Sequence, residues 1–410
     1  MKILFVHQNM PGQYRHLIQH LAASGHRVVF ITQRKGIVLP GVRIMTYTEG
    51  KEASPHTHHY LRNAEAAVRN GQEVARIALR LRHNGFVPDL MLGHSGWGEI
   101  LYLKDVFPNT PLIGYFEYFY QLFGGDIGFD PGETITPDTA PKLRTKNTTN
   151  LLSLAAADLG QTPTLWQQSL YPKRYHGMLH VLHEGVDTDE ARPNAAARYT
   201  VPGAGVTLAP GDEVLTYVGR NLEPHRGFPS FMRSLPEILA GRPNARVLIV
   251  GANGTSYGPP PPGGGSWKDV MVKELGRSVD WSRVHFLGRV PYPSFLDILR
   301  ISRAHIYLTY PFVLSWSMLE AMASGCVVIG SRTPPVEEVI RDGHNGLLVD
   351  FFSPRDIAQR AISVLAEPQA YAAVRERARH TVVERYDLKT VCLPAQLKML
   401  EMARAGEVPA

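Results

Sequence analysis

The feature that most constrains the fold of this chain is an alternation of short, wholly apolar runs with stretches of helical periodicity, and the alternation occurs twice. In the first half the runs are Ile3-Leu4-Phe5-Val6, Val28-Val29-Phe30-Ile31, Leu90-Met91-Leu92 and Leu112-Ile113, with helical patterns at Tyr14 to Ser24 and Arg62 to Arg82. Apolar runs without polar alternation suit strands buried on both faces, and strands separated by helices assemble into parallel sheets. The pattern restarts at Val214-Leu215-Thr216-Tyr217-Val218 and continues through Val247 to Val250, Val284 to Leu287, His305 to Thr309, Cys326 to Ile329 and Leu347 to Val349. It predicts an α/β chain of two doubly wound, Rossmann-like parallel-sheet domains.

Residues 192 to 212, RPNAAARYTVPGAGVTLAPGD, combine Pro, Gly and Ala without periodicity and read as the domain linker. The expected organisation is an N-terminal domain over 1–195, a linker over 196–212, a C-terminal domain over 213–385, and a helix over 386–410 returning towards the N-terminal domain. Two further stretches break the alternation. GGDIGFDPGETITPDTAP, within an irregular insert between about 120 and 150, and GANGTSYGPPPPGGGSW at 251 to 267 both read as long loops.

Composition excludes several classes. With 410 residues, 44% apolar and 20% charged, the chain can bury two cores and is neither disordered nor collagen-like. Two cysteines, Cys326 and Cys392, leave no disulfide framework and no cysteine-built zinc site. No run approaches the roughly 20 apolar residues of a membrane span, so a cytoplasmic location is expected. Charge is uneven: residues 1 to 85 hold twelve Lys/Arg against four Asp/Glu, whereas residues 86 to 195 hold seven against thirteen. Arg62, Arg69 and Arg76 recur every seventh residue, with Arg80 one turn on, and share a helix face. An anionic membrane surface is one partner for that face, which would place the chain peripherally on the inner face of the cell membrane; a solvated surface is the alternative. No basic stretch is interleaved with aromatics able to stack on bases, so nucleic acid is not an expected partner.

The candidate site residues lie where strands end. In YPFVLSWSMLEAMASGCVVIG, residues 310 to 330, a strand leads through a loop into a short apolar helix over Met318 to Ser324 that carries Glu320 near its start. A carboxylate at the carboxyl end of a strand in an open α/β sheet suits a ribose. Ser317-Met318-Leu319-Glu320 equally fits a capping box, in which Glu320 would only hold the helix start. Gly219-Arg220 ends the first strand of the second half, and Arg226-Gly227 precedes a helix over Ser230 to Ala240. Two guanidinium groups beside a helix N-terminus can form a diphosphate site, or be an ordinary surface pair. Met10-Pro11-Gly12-Gln13 follows the first strand, where a glycine turn lets a ligand approach backbone N–H groups, although it is not the GxGxxG dinucleotide fingerprint.

Taken in order, Gly219-Arg220, Phe286-Leu287-Gly288-Arg289-Val290 and Leu319-Glu320-Ala321-Met322-Ala323-Ser324-Gly325 resemble the retaining glycosyltransferases of family four, which have the GT-B fold, two Rossmann-like domains facing a central cleft. Pro88-Asp89 before His94, His183-Glu184-Gly185-Val186-Asp187 and the segment Asp342 to Val349 extend the resemblance over most of the chain. It implies that Glu320 is the second glutamate of the family's E-x7-E motif and holds the nucleotide ribose. It also implies that Arg220 binds the diphosphate, with Arg226 standing where the family usually has lysine. Leu314, Ser315 and Trp316 match the loop whose N–H groups face the donor phosphate and sugar, and Gly288, Arg289 and Val290 border the base. Gly12 and Gln13 match the glycine-rich loop near the donor, and His94 the histidine beside the donor sugar.

Three departures stand out. Phe312 occupies the place of the first motif glutamate, Tyr115-Phe116-Glu117-Tyr118 replaces a histidine-bearing segment, and Glu184 precedes Gly185-Val186-Asp187 where the family has asparagine. Glu117 then takes either a polar role towards the ligand or a structural one. The implied activity is transfer of a sugar from a nucleotide diphosphate donor, UDP-linked or GDP-linked, to a hydroxyl acceptor in bacterial cell-surface glycan, glycolipid or secondary-metabolite synthesis. His94, Arg220, Arg226 and Glu117 would be the reacting-centre residues, with no cofactor and no metal required. The alternatives are an inactive nucleotide-sugar-binding subunit and a nucleotide-sugar 2-epimerase of the same fold.

Overall fold

The computed structural model describes residues 1–48 and 53–406. The chain divides into two compact units, one formed by Met1–Gly185 with Lys389–Ala410 and the other by Val186–Leu388; of the first unit, residues 407–410 lie outside the described residues.

The first unit is built on seven parallel strands: β1 (Lys2–Val6), β2 (Arg27–Thr32), β3 (Val42–Thr46), β4 (Leu90–His94), β5 (Leu112–Tyr115), β6 (Leu159–Thr162) and β7 (Leu179–Val181). Their order is β3-β2-β1-β4-β5-β6-β7. β1 therefore pairs on one side with β2 and on the other with β4, and the winding reverses between β1 and β4. Three strands escaped the sequence reading. β3 is a half-exposed edge with mixed polarity, β6 buries Gln161 and Thr162, and β7 is only three residues long. The side chain of Gln161 satisfies itself by donating to Leu182 O at 2.9 Å, which allows a polar residue in a buried strand.

One face of this sheet is covered by the helix Arg62–His83, whose Val74, Ile77, Ala78 and Leu81 pack with Leu4, Val6, Val29 and Ile31. The other face is covered partly by the last helix, Leu393–Ala405: Met399, Leu400 and Ala403 join the cluster of Ile3, Phe5, Val28 and Leu90. Burying a Leu or Met side chain stabilises by about 1.5–3 kcal/mol, so this helix is a structural part of the first unit.

The second unit opens with a two-stranded antiparallel hairpin, β8 (Tyr199–Val201) and β9 (Val206–Leu208). This corrects the linker reading of 196–212. Ala197, Val201 and Leu208 are buried against Val214, Leu248 and Ile298, so the segment is part of the second core. The chain instead passes between units at Gly185/Val186 and again at Leu388/Lys389. There Val186 N–H donates to Tyr386 O at 2.8 Å and Leu388 N–H to Val186 O at 2.9 Å, so the two passing segments pair side by side.

A six-stranded parallel sheet follows: β10 (Val214–Asn221), β11 (Arg246–Ala252), β12 (Val284–Gly288), β13 (Ala304–Tyr307), β14 (Val327–Ser331) and β15 (Leu347–Val349), ordered β12-β11-β10-β13-β14-β15. The winding reverses between β10 and β13. In open parallel sheets, ligands bind outside the carboxyl ends of the strands at such a reversal. The irregular insert of the first unit is shorter than its composition suggests, because helices Thr139–Lys146 and Thr148–Ala156 begin inside it. Among the described residues, no helix is long and apolar enough to cross a membrane.

Candidate functional site

Each unit gathers polar side chains at its own reversal. In the first, His7 follows β1 and His94 ends the neighbouring β4, and both are buried. His7 Nδ1 accepts the Asn9 backbone N–H at 2.8 Å, so the neutral ring carries its proton on Nε2 and donates to Gln13 Oε1 at 2.7 Å. Burial holds His7 well below the ordinary histidine range and the nearby His94 lowers it further, with the Gln13 bond opposing both. Gln13 passes the connection on, donating from Nε2 to Glu117 Oε1 at 3.0 Å.

Glu117 Oε2 in turn lies 3.5 Å from His94 Nε2. Gly96 N–H donates to His94 Nδ1 at 2.9 Å, which places the proton of a neutral ring on Nε2. That nitrogen is buried and makes no hydrogen bond among the described residues. A buried N–H without an acceptor costs about 1–3 kcal/mol, so a position that retains one calls for a ligand acceptor there. The ring is fixed by stacking on Trp97, centroids 4.3 Å apart, and by Tyr115 at 5.3 Å.

The turn at Gly12 has a steric reason: its φ is +53° and a Cβ there would stand 2.7 Å from His7 Nε2. The sequence names Gly12, Gln13, His94 and Glu117, which lie together here, but not His7. The available signal was a polar residue immediately after a fully apolar first strand.

Further along the same edge, Tyr115 donates its hydroxyl to Glu184 Oε1, and both side chains are buried. Glu184, the residue standing in place of an asparagine, therefore has a partner within its own unit.

In the second unit, Gly219 and Arg220 lie at the end of β10, with Arg220 exposed. Arg226 is buried, and its Nη1 donates to Thr309 Oγ1 at 2.8 Å, to Val313 O at 2.9 Å and to Tyr307 Oη at 3.4 Å. It ties the segment after β10 to the loop after β13. Among the described residues no carboxylate is paired with this guanidinium, although its Cζ lies 5.2 Å from the centre of the Tyr257 ring. The intervening Gly227 has φ +66°, and a Cβ there would fall 2.3 Å from Leu308 Cβ, so only glycine lets the two strand ends come this close. Helix Phe228–Gly241 starts from this glycine.

The helix carrying Glu320 spans Trp316–Ala323 and starts two residues earlier than the sequence reading of Met318. Its cap is Ser315, whose Oγ accepts the Ser317 N–H at 3.4 Å and is 2.9 Å from Ser317 Oγ. Glu320 is thus the fifth helical residue, two positions beyond the third, which a capping box requires, and that reading is corrected. Its Oε1 accepts instead from Tyr292 Oη at 2.8 Å, at the start of helix Tyr292–Ile301. Ser315 N–H donates to Tyr307 Oη at 2.7 Å, so the loop before the helix is held from below. The Leu314 side chain joins the core, which leaves its backbone alone for a ligand, and Trp316 is exposed. Gly288, at φ +65°, ends β12; Arg289 beyond it is exposed and Val290 packs on the core.

Phe312 is buried among aromatic rings: Tyr257 at 4.8 Å and His225 at 6.1 Å, with His225 stacked on Tyr310 at 4.6 Å. The residue replacing the first motif glutamate therefore completes an apolar cluster. Glu223, which sequence reasoning missed, closes the same region. Fully buried, it accepts through Oε2 the N–H groups of Ser256, Tyr257 and Gly258 at 2.9, 3.0 and 3.3 Å, pinning the Gly/Pro-rich loop after β11.

Two Rossmann-like units with these strand orders match solved structures along nearly their whole length. Sucrose-phosphate synthase from Thermosynechococcus elongatus superposes with a TM-score of 0.71 at 16% identity, covering 99% of this chain and 100% of that one. Anabaena HepE in complex with UDP and glucose gives 0.67 at 16%, covering 97% and 98%. The class is therefore the GT-B fold. Residues 24–191 match the glycosyl transferase family 4 group and residues 205–381 the glycosyl transferases group 1. The chain belongs to glycosyltransferase family four.

Among curated relatives, D-inositol 3-phosphate glycosyltransferase of Rhodococcus jostii is 31% identical over 208 residues, 49% of this chain and 43% of that protein. Phosphatidyl-myo-inositol mannosyltransferase of Mycolicibacterium smegmatis is 25% identical over 270 residues, 59% of this chain and 65% of its own length. The match thus spans less than half the length of the first of these relatives.

Proposed function

We propose that this chain is a retaining glycosyltransferase that moves a sugar from a nucleotide diphosphate donor to a hydroxyl acceptor. The observation that carries the reading is Arg226, a buried guanidinium at the reversal of the second sheet with no carboxylate paired to it among the described residues. A buried charge needs an anion, and a donor diphosphate supplies one.

In this mechanism the bond between the anomeric carbon and the diphosphate oxygen breaks as the acceptor oxygen bonds to that carbon; negative charge collects on the leaving diphosphate, which takes up the proton lost by the acceptor hydroxyl. Arg220 meets that charge directly. Arg226 adds its field and, through Thr309 and Val313, positions the Val313–Ser315 backbone, a role that differs from the simple phosphate clamp expected from sequence. The N-termini of helices Phe228–Gly241 and Trp316–Ala323 add their partial positive charge. One preorganised donor of this sort typically contributes ~3 kcal/mol to the transition state. Glu320 accepts from the ribose hydroxyls, and Gly288, Arg289 and Val290 border the base. In the first unit, His94 Nε2–H donates to a ligand hydroxyl, with Trp97 and Tyr115 fixing the ring and Glu117 3.5 Å from that nitrogen.

UDP is the favoured nucleotide, because the HepE structure that this fold resembles holds UDP and glucose; GDP is the alternative. The acceptor class is a hydroxyl on a glycan, glycolipid or small molecule, in keeping with relatives named for inositol phosphate. The basic face of the helix Arg62–His83 would bring the enzyme to an anionic membrane surface from the cytoplasmic side.

A second reading rests on Phe312: without the first motif glutamate, the chain binds a nucleotide sugar and leaves its bond intact. Incubation with UDP- and GDP-sugars, with and without hydroxyl acceptors, separates the two. Diphosphate release accelerated by an acceptor, with the product anomer matching the donor, supports transfer. Tight nucleotide binding with no turnover on any donor leaves the binding subunit.

A further inference from the structure

The second unit holds a cavity of about 700 Å³ that belongs to neither reversal. Its lining includes Gly211, Ser302, Arg303, Ser324 and Gly325, which lie just ahead of β10, β13 and β14. It therefore opens at the amino-terminal edge of the parallel sheet, opposite the edge that carries Arg220 and Ser315. At ~3.3 Å per residue, the four residues of β13 separate the two edges by roughly 13 Å.

Four arginines line this cavity, Arg300, Arg303, Arg375 and Arg379, against one carboxylate, Glu376. Arg300 is paired with Asp297 at 2.9 Å. The others are held by neutral acceptors. Arg303 donates to Leu365 O at 2.7 Å and to Gly211 O, and Arg379 donates to Ala191 O, Ala323 O and Thr188 O at 3.0, 2.7 and 3.2 Å. Arg375 makes a single long bond to Pro368 O at 3.3 Å. Backbone carbonyls fix a guanidinium in place without neutralising it.

Arg303 and Arg379 are both pushed below the usual arginine range, chiefly by burial; Arg242 and Arg375 add to this at Arg303 against Glu213 and Asp212, and Arg192 adds to it at Arg379 against Asp189 and Asp387. Independently, Ser324, also in the lining, has a buried Oγ with no hydrogen-bond partner among the described residues. Forked donors already fixed in position, an excess of positive charge and an unsatisfied hydroxyl together form a receptor for a multiply charged oxyanion.

We propose that this cavity is a second binding site, for a phosphate-bearing ligand, distinct from the nucleotide edge. Its volume admits a phosphorylated small molecule as readily as the head group of a phospholipid. Arg379 also donates to Ala323 O, the last residue of the helix that carries Glu320, so an occupant here touches the far end of that helix.

The test is calorimetric titration of inorganic pyrophosphate into the full chain and into three variants. Arg375→Glu, the arginine least tied to the fold, is expected to weaken one class of site by at least about tenfold. Glu376→Gln is expected to tighten the same class about threefold, and Arg220→Ala to leave it unchanged while affecting any other class. If Arg375→Glu fails to fold, Glu376→Gln alone decides. Competition then separates the sources: displacement by glucose 6-phosphate identifies a soluble ligand, and displacement by phosphatidic acid vesicles a lipid head group. Isotherms unaltered by both cavity variants, or pyrophosphate displaced by neither competitor, would overturn the proposal.

Discussion

Replacing Glu320 by glutamine isolates the role of its charge, because the change keeps shape and one acceptor oxygen. The carboxylate is half-buried, it is not the cap of its helix, and Tyr292 Oη donates to it at 2.8 Å. If it accepts from ribose hydroxyls, the loss is that of a hydrogen bond to a charged group, about 1.5–3 kcal/mol. At 1.4 kcal/mol per decade, the UDP dissociation constant should rise roughly 10- to 150-fold. Tyr292→Phe removes a donor that orients Glu320 but leaves its charge, and should raise the constant by less, on the order of 2- to 10-fold. Neither change should cost much stability, since Ser315 holds the helix start, and a loss under about 1 kcal/mol moves the melting temperature of a unit this size by no more than ~4 °C. Isothermal titration with UDP alongside thermal melts gives both numbers. A UDP constant unchanged within twofold in Glu320→Gln, with the melt shifted well beyond that range, would refute the ribose assignment and leave Glu320 a structural partner of Tyr292.

Burial holds His305 down at about 3 in the folded chain, with Thr216 Oγ1 2.8 Å from its Nδ1. The unfolded chain takes up that proton near pH 6.5, so its contribution to stability is present above pH 6.5 and is lost as pH falls towards 3, by up to ~1.4 kcal/mol per pH unit. His305→Gln should show a shallower acid slope in urea-unfolding midpoints between pH 6.5 and 4; parallel slopes would exclude the assignment. Phe312→Glu, which restores the family glutamate in sequence, should destabilise by about 2–4 kcal/mol by placing a carboxylate among Tyr257, His225 and Tyr310. A variant that melts with the wild type and turns over faster would mean that the aromatic cluster is not what excludes the glutamate. On the first unit, Arg69 and Arg76 pair with Glu65 and Glu73 on their own helix, which blunts the basic face. Co-sedimentation with anionic vesicles should fall when Arg62, Arg69 and Arg76 are all changed to Gln, and unaltered sedimentation would dispose of a membrane role.

Strand-ending positions were legible in sequence wherever an apolar run stopped at a polar residue. That is why Arg220 and the loop before Glu320 stand out: β10 and β13 are largely buried runs whose ends are sharp, whereas His94 is named by the family resemblance alone. Positions whose meaning depends on a distant partner were not legible. Glu223 looks like a surface residue between Leu222 and Pro224 until the loop at 256–258 folds its N–H groups onto it. The hairpin β8–β9 was mistaken for a linker because its strands are three residues long and its apolar positions make sense only against Leu248 and Ile298. The capping-box error has the same origin, since Ser315 and Ser317 are both adequate caps locally, and Tyr307 Oη, which fixes the Ser315 N–H, favours the earlier one.

The return of the final helix to the first unit has a consequence for biosynthesis. Met399, Leu400 and Ala403 cover Ile3, Phe5 and Val28, yet residues 186–388 are translated between them. At 5–20 residues per second, that interval lasts about 10–40 s, during which one face of the first unit's sheet, already packed against the helix Arg15–Ala23, lacks the rest of its cover. The second unit, contiguous in sequence, meets no such delay and can complete its core first. The unit begun first on the ribosome is thus the last to close, and the nascent chain presents an apolar surface to chaperones for as long as its own second half is being made.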